Sequence, residues 1–376
     1  MPKSHIMNTI NPSSHKKTAI SLFCGAGGMD DGFSRAGFKI IWANDYDKDA
    51  CATYKANFGS HVVCGDINEL IPTLDRFIGI DCVFGGPPCQ GFSVAGNMDP
   101  NDERSKLVMS FMQVVEKVSP RIFVMENVKS LGVLSKFQSV RDELFQRAHA
   151  LGYHTELFIL NSKDFGVPQS RERMFLFGVK NKKYNGLLKD HIKVFEKISL
   201  SVREIIRPLG PAGNKNNSKT VNAKITIAKK PILRKSPYAG MLFNGQGRPI
   251  NPDEYSSTLH ASMGGNRTPI IDEEQLYYNK PAWVEEYHRY LMEGGEPWAA
   301  NEAPNRLRRM TVDEAHLLQT FPKDFQFLGR QNSVFRQIGN AVPCNLAEAV
   351  AKLAILVLDS TVEPKTEEPE LTLETA

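Results

Sequence analysis

Nothing in this 376-residue chain has the spacing of a zinc site or a disulfide framework. Its six cysteines, Cys24, Cys51, Cys64, Cys82, Cys89 and Cys344, include no C-x-x-C pair and no neighbouring histidine cluster, so no metal is expected. There is no apolar run near the ~20 residues needed to span a bilayer, and none of secretory length after the basic start. The expectation is a cytoplasmic protein with no membrane attachment. Acidic residues are scarce between Lys180 and Lys235, where 15 Lys plus Arg stand against 3 Asp plus Glu, although the whole chain carries only +4. A charge run is usually a solvated face. This one occupies the stretch without recognisable motifs, which favours a surface for phosphate backbone.

What is present is alternation. Ala19 to Phe23, Lys39 to Asn44, Val62 to Cys64, Asp81 to Phe84, Arg121 to Met125, Tyr153 to Leu160 and Arg173 to Val179 read as strands. Between them, Gly28 to Ala36, Lys48 to Asn57, Ser105 to Val118 and Phe137 to Leu151 read as helices. This predicts an α/β fold, a doubly wound, mostly parallel sheet with its ligand crevice at the strands' C-terminal ends. Past Lys180 the stretch Pro208 to Ser218 and the later glycine pairs predict loops and short elements, hence a second, smaller domain. The expected division is a flexible arm over 1–17, a catalytic domain with the cofactor site over 18–185, and a target-recognition domain over 186–328. A return to the catalytic domain over 329–358 and an acidic disordered tail over 359–376 complete it.

One thiol stands apart. In Gly85-Gly86-Pro87-Pro88-Cys89-Gln90-Gly91-Phe92-Ser93 two prolines fix φ and remove two backbone donors, so the chain must leave the sheet as a shaped loop. Taken alone, a buried structural cysteine would be the commoner outcome. Gly25, Gly27 and Gly28 follow the first strand, where glycine allows close approach of backbone to a ligand. Asp30 occupies the third position of what would otherwise be G-x-G-x-x-G, and Asp45, at the end of the second strand, can accept hydrogen bonds from ribose hydroxyls. On these residues alone an NAD-dependent oxidoreductase is a fair rival.

Taken in order, the Pro-Pro-Cys segment, Phe23-Cys24-Gly25-Ala26-Gly27-Gly28, Gly65-Asp66-Ile67, Glu126-Asn127-Val128, Gln169-Ser170-Arg171-Glu172-Arg173 and Gln337-Ile338-Gly339-Asn340-Ala341-Val342-Pro343 form a set. It resembles the DNA (cytosine-5) methyltransferase family, of bacterial restriction-modification type, over Ile20 to Pro343. Each string alone is weak evidence; the ordered set is specific.

The resemblance implies the S-adenosylmethionine-dependent methyltransferase fold with a target-recognition domain. It implies methyl transfer from S-adenosyl-L-methionine to carbon 5 of a cytosine flipped out of a specific double-stranded DNA sequence, through a covalent bond between Cys89 and C6. Catalysis would fall to Cys89, to Glu126 at N3 and the exocyclic amine, and to Arg171 and Arg173 at O2, Glu126 or a phosphate. Gln169 would support the active-site loop and Asn127 would hold loop geometry. Phe23, Gly25, Ala26, Gly27 and Gly28 would surround the methionine part and adenosine, with Asp45 on the ribose, Tyr46 and Ile67 on the adenine and Asp66 on its amino group. Pro88 and Asn340 would complete that pocket.

Gly91, Ser93 and the stretch from Asn97 to Arg104 would form a lid, and Asn266 and Arg267 are candidates for base-edge contacts. Departures from the family pattern are Ser21 and Asp45 where Asp and Glu are usual, Tyr46 for Trp, and Asp313 for Arg. The expected partners are duplex DNA and a restriction endonuclease acting on the same site, with the enzyme a monomer. Two alternatives stand. One is an RNA cytosine-5 methyltransferase, disfavoured because that branch carries a Cys-Phe-Thr tripeptide and this chain has no cysteine between Gln90 and Pro343. The other is an inactive DNA-binding homologue, disfavoured by the joint presence of Cys89, Glu126, Arg171 and Arg173.

Overall fold

The computed structural model describes residues 16–88, 106–180 and 188–360. Cys89, the expected lid and nearly all of the expected arm and tail lie outside the described residues.

Seven strands, β1 (Thr18–Leu22), β2 (Lys39–Asp45), β3 (Val62–Cys64), β4 (Cys82–Gly85), β5 (Ile122–Val128), β6 (His154–Asn161) and β7 (Glu172–Val179), form one sheet. Its order is β3-β2-β1-β4-β5-β7-β6. β1 to β5 run parallel, whereas β7 is antiparallel to both β5 and β6. Parallel neighbours need crossovers, and these are α1 (Gly28–Ala36), α2 (Lys48–Phe58) and α3 (Lys106–Val118), with α4 (Gln138–Ala150) leading into β6. The side-chain period of two sends β5 into both layers. Val124 packs with Phe33, Phe84, Phe175 and Phe177 on one face. Phe123 and Met125 pack with Phe111, Val115 and Leu144 on the other.

Beyond β7 the strands shorten to β8 (Ile227–Ile232), β9 (Met241–Phe243), β10 (Ile270–Asp272) and β11 (Leu307–Arg309), paired two by two. With α5 (Trp283–Met292) and α6 (Val312–Leu318) they close two further apolar clusters. α6 begins with a capping box in which Thr311 and Glu314 satisfy each other's backbone N–H groups.

The stretch 329–358, expected to return to the catalytic region, divides in its packing. α7 (Gln331–Asn340) buries Val334, Phe335 and Ile338 in the second region. α8 (Cys344–Ser360) buries Leu346, Val350, Leu353 and Val357 with Phe33 of α1 under the sheet. Gln331–Ser360 is long and apolar enough to cross a membrane by length and composition alone. Two-thirds of its apolar window is instead covered by the rest of the protein.

Candidate active site

The loop after β1 is closed behind and open in front. Phe23 has φ 53°, unusual for a bulky residue, and Gly25 and Gly27 have φ 55° and 96°. A Cβ at Gly27 would lie 2.2 Å from the Phe58 ring, and one at Gly28 2.6 Å from Val342 O. At Gly25 it would meet nothing within 4 Å. Asp45 sets the loop's height: its Oδ2 accepts from Gly25 N–H at 2.7 Å and its Oδ1 from Asp47 N–H at 2.8 Å. Asp66 caps the turn at Ile67–Leu70 by accepting from the backbone and side-chain nitrogens of Asn68, and Ile67 is buried. The Tyr46 ring is 78% exposed beside them. An open glycine cradle, two acids at strand ends and an uncovered aromatic ring fit an adenosine-bearing cofactor.

Behind the cradle the Ser21 departure finds its reason. Ser21 Oγ donates to Asp30 Oδ2 at 3.0 Å, and Tyr54 OH donates to Asp30 Oδ1 at 2.9 Å. A carboxylate is thus buried here after all, supplied by α1. Burial pushes Asp30 up to about 7, against the hydrogen bonds from Tyr54 and Ser21.

The second loop leaves β4 between β1 and β5. Gly85 packs so tightly that a Cβ would lie 2.1 Å from Leu22 O, and one at Gly86 would lie 2.7 Å from Glu126 Oε2. Neither requirement follows from the prolines on which the sequence reading rested. Asn127 Nδ2 donates to Pro87 O at 3.1 Å, tying the Pro-Pro turn to β5. Pro88 is half-buried beside it.

Glu126 is buried, with its Oε1 3.0 Å from Arg173 Nε. Burial raises its pKa, while the positive charges of Arg173 and Arg171 work against the rise. Cys24, Cys82 and Cys344 are buried thiols that burial pushes well above the ordinary range, which makes them poor nucleophiles.

Arg171, expected near the substrate and Glu126, is anchored by backbone carbonyls. It is buried, and its guanidinium donates to Leu259 O at 3.0 Å and Gly339 O at 2.9 Å. It braces the end of the sheet against two distant segments, while its charge acts on Glu126. Gln169 does likewise: its Nε2 donates to Gln319 Oε1 at 2.5 Å, and its Oε1 accepts from Leu259 N–H at 3.0 Å. Gln319 Nε2 in turn donates to Ile338 O and Ala341 O at 2.9 and 2.7 Å. Asn340 is exposed at the end of α7, and it is the next two residues, Ala341 and Val342, that touch the glycine loop. Asp313, in place of the usual Arg, accepts from Ser218 N–H at 2.7 Å, while Arg308 pairs with Glu273 and Glu314.

This architecture is that of a methyltransferase. It aligns with the S. pombe Dnmt2 methyltransferase at a TM-score of 0.64, covering 92% of this chain and 99% of that one, at 19% identity, a likeness of fold. In sequence, residues 17–355 match the C-5 cytosine-specific DNA methylases, and the chain belongs to that family of enzymes. It is similar to the Type II methyltransferase M.NgoPII of Neisseria gonorrhoeae, 33% identical over 346 residues, 88% of this chain and 93% of the relative. The Type II methyltransferase M.FnuDI of Fusobacterium nucleatum is 32% identical over 340 residues, 89% of this chain and 92% of its own length.

Proposed function

We propose that the enzyme uses S-adenosyl-L-methionine to methylate carbon 5 of a cytosine extruded from a specific duplex sequence, through a covalent bond from Cys89 to C6. The observation that carries the reading is the buried Glu126–Arg173 pair, 3.0 Å apart, set against Gly86 at the base of the Pro-Pro-Cys turn. A buried carboxyl group whose pKa is raised by burial can share a proton with a ring nitrogen.

The glycine loop from Phe23 to Gly28, with Asp45, Tyr46, Asp66, Ile67 and Pro88, would hold the cofactor. Bound there, it supplies a sulfonium-activated methyl group. Cytosine C5 is a poor nucleophile, and the Cys89 thiolate corrects this by adding at C6 while Glu126 hydrogen-bonds N3 and the exocyclic amine. C5 then takes the methyl group, loses its proton, and the C6–S bond breaks to return the thiolate and restore the aromatic ring. Arg173 orients Glu126 and offers its remaining N–H groups to the cytosine O2. Arg171 acts as a positioning residue, through the carbonyls of Leu259 and Gly339. Extruding the base costs a few kcal/mol, and methyltransferases are among the enzymes that use this strategy.

Duplex DNA as substrate is supported by the family and by the exposed Lys215, Lys219, Lys224, Lys229, Lys230 and Lys235 beyond the sheet. Relatives named Type II methyltransferases support a role beside a restriction endonuclease of the same specificity. Bisulfite sequencing of DNA from cells expressing the protein tests the reading. Protection of cytosine at one short recurring sequence is expected; unprotected DNA together with modified cytosine in cellular RNA would favour the RNA alternative.

A further inference from the structure

Next to the glycine cradle two thiols meet. Cys51 lies near the start of α2, and Cys64 ends β3, where the parallel register sets it opposite Asp45. The Cys51 thiol donates to Asp45 O at 3.4 Å, and the Cys64 thiol donates to Tyr46 O at 3.7 Å. Asp45 O also accepts from Gly65 N–H at 3.0 Å, so both sulfurs are held against one turn of backbone. They lie within hydrogen-bonding reach of each other. Through its carboxylate the same Asp45 holds Gly25 N–H at 2.7 Å, which joins the thiol pair to the cradle.

The two sulfurs differ in access. Among the described residues Cys64 is the one exposed cysteine, whereas Cys51 is buried. A buried cysteine can serve as a small apolar side chain, and this accounts for Cys51 but not for an exposed thiol seated against it. Surrounding protein, then the Cys64 thiol and the negative charge of Asp45, push Cys51 above its ordinary range, so it stays protonated. The attacking sulfur is therefore Cys64, with Cys51 behind it as the resolving partner.

We propose that Cys51 and Cys64 form a peroxide-responsive disulfide that weakens cofactor binding. The coupling rests on Asp45 and Tyr46 holding the cofactor. The Cys64 thiolate attacks one peroxide oxygen, the O–O bond breaks and hydroxide leaves, giving a sulfenic acid. Cys51 sulfur then displaces the sulfenic hydroxyl group, which departs with the Cys51 proton as water and leaves an S–S bond. The two thiols have lost two electrons and two protons, and the peroxide has become two waters. Closing the bond removes both S–H donors from the carbonyls of Asp45 and Tyr46 and draws the sulfurs from contact to bonding distance. The turn whose side chains meet ribose and adenine must then shift.

The test uses the full chain carrying Cys89→Ala, so that oxidation of that thiol does not enter, with and without Cys64→Ser. Each protein is treated with hydrogen peroxide, its peptides are mapped by mass spectrometry, and S-adenosyl-L-methionine binding is measured by calorimetry before oxidation, after it and after dithiothreitol. The peptides bearing Cys51 and Cys64 should be joined, and affinity should fall by about tenfold or more and return on reduction. Cys64→Ser, which keeps a donor for Tyr46 O, should bind as its parent does before peroxide and lose nothing after it. Peptides that stay separate overturn the proposal, as does a joined pair with unchanged affinity or an equal loss in Cys64→Ser. Reduced protein that binds no S-adenosyl-L-methionine overturns the cofactor reading, and the coupling with it, whether or not the peptides join.

Discussion

Arg173 Nε lies 3.0 Å from Glu126 Oε1, and the pairing of two antiparallel strands brings them together. Arg173 stands opposite Val128, two residues beyond Glu126, so the two side chains are diagonal neighbours on one face of the sheet. Burial lifts the carboxyl pKa and Arg173 restrains it. Glu126→Gln should therefore cut the single-turnover methyl-transfer rate by roughly 10²- to 10⁴-fold with cofactor affinity unchanged. In Arg173→Gln the larger restraint is gone and only that of Arg171 is left, so the limb of the pH–rate profile that reports Glu126 should move to higher pH. An unmoved limb would detach the pair from the chemistry.

Gly86 is predicted to be intolerant of a single methyl group. A Cβ there would lie 2.7 Å from Glu126 Oε2, so Gly86→Ala must displace the carboxylate. Activity should fall at least about tenfold with a modest stability loss, because what moves is the end of a side chain. At Gly85 the clash is with Leu22 O, a backbone atom, and Gly85→Ala should lower the unfolding temperature far more than Gly86→Ala does. Equal losses of stability would contradict this contrast.

Asp30 makes stability depend on pH. Its folded pKa, about 7, lies above the ordinary 3.8, so the folded state holds this proton more tightly than the unfolded chain. The associated stability is complete below about pH 4 and is lost as pH rises through about 7, at about 1.4 kcal/mol per unit of separation as an upper bound. Asp30→Asn imitates the protonated form. In urea unfolding, its stability relative to wild type should climb between pH 4 and pH 7 and then level off; a flat difference would show that Asp30 does not titrate there.

Gln169 and Gln319 carry the coupling between the sheet and the second region. Gln169→Leu leaves the Leu259 N–H and the Gln319 amide oxygen unmet in a buried place, at about 1–3 kcal/mol for such a group. The variant should be less stable and show a raised KM for DNA with little change in cofactor affinity. If cofactor affinity falls as much as DNA affinity, the pair supports the whole fold instead.

The sheet was legible because strand and helix periods repeat along Thr18 to Val179, and because the motifs fall just past the strand ends. The cradle was legible for the same reason, as glycines and acids close in sequence stay close in space. Arg171 was not. Its partners, Leu259 and Gly339, lie 88 and 168 residues away, and nothing local to an arginine states whether it will face substrate or a distant carbonyl. The second region was equally opaque: strands as short as Met241–Phe243 and Ile270–Asp272 carry no measurable period, and tertiary packing defines them. Ser21 shows a middle case, in which the missing acid was visible but its replacement by Asp30 needed the fold.

The central claim is that Cys89 attacks cytosine C6, and a substrate that blocks the last step tests it most directly. With duplex DNA carrying 5-fluorocytosine at the mapped site, C5 has no proton to lose, so the thiolate cannot be expelled after methyl transfer. Mass spectrometry of the wild type with S-adenosyl-L-methionine should show a stable adduct equal to protein plus methylated DNA, attached at Cys89, and none with Cys89→Ala. Methyl transfer to normal DNA without any trapped adduct, or an adduct that survives Cys89→Ala, would contradict the account.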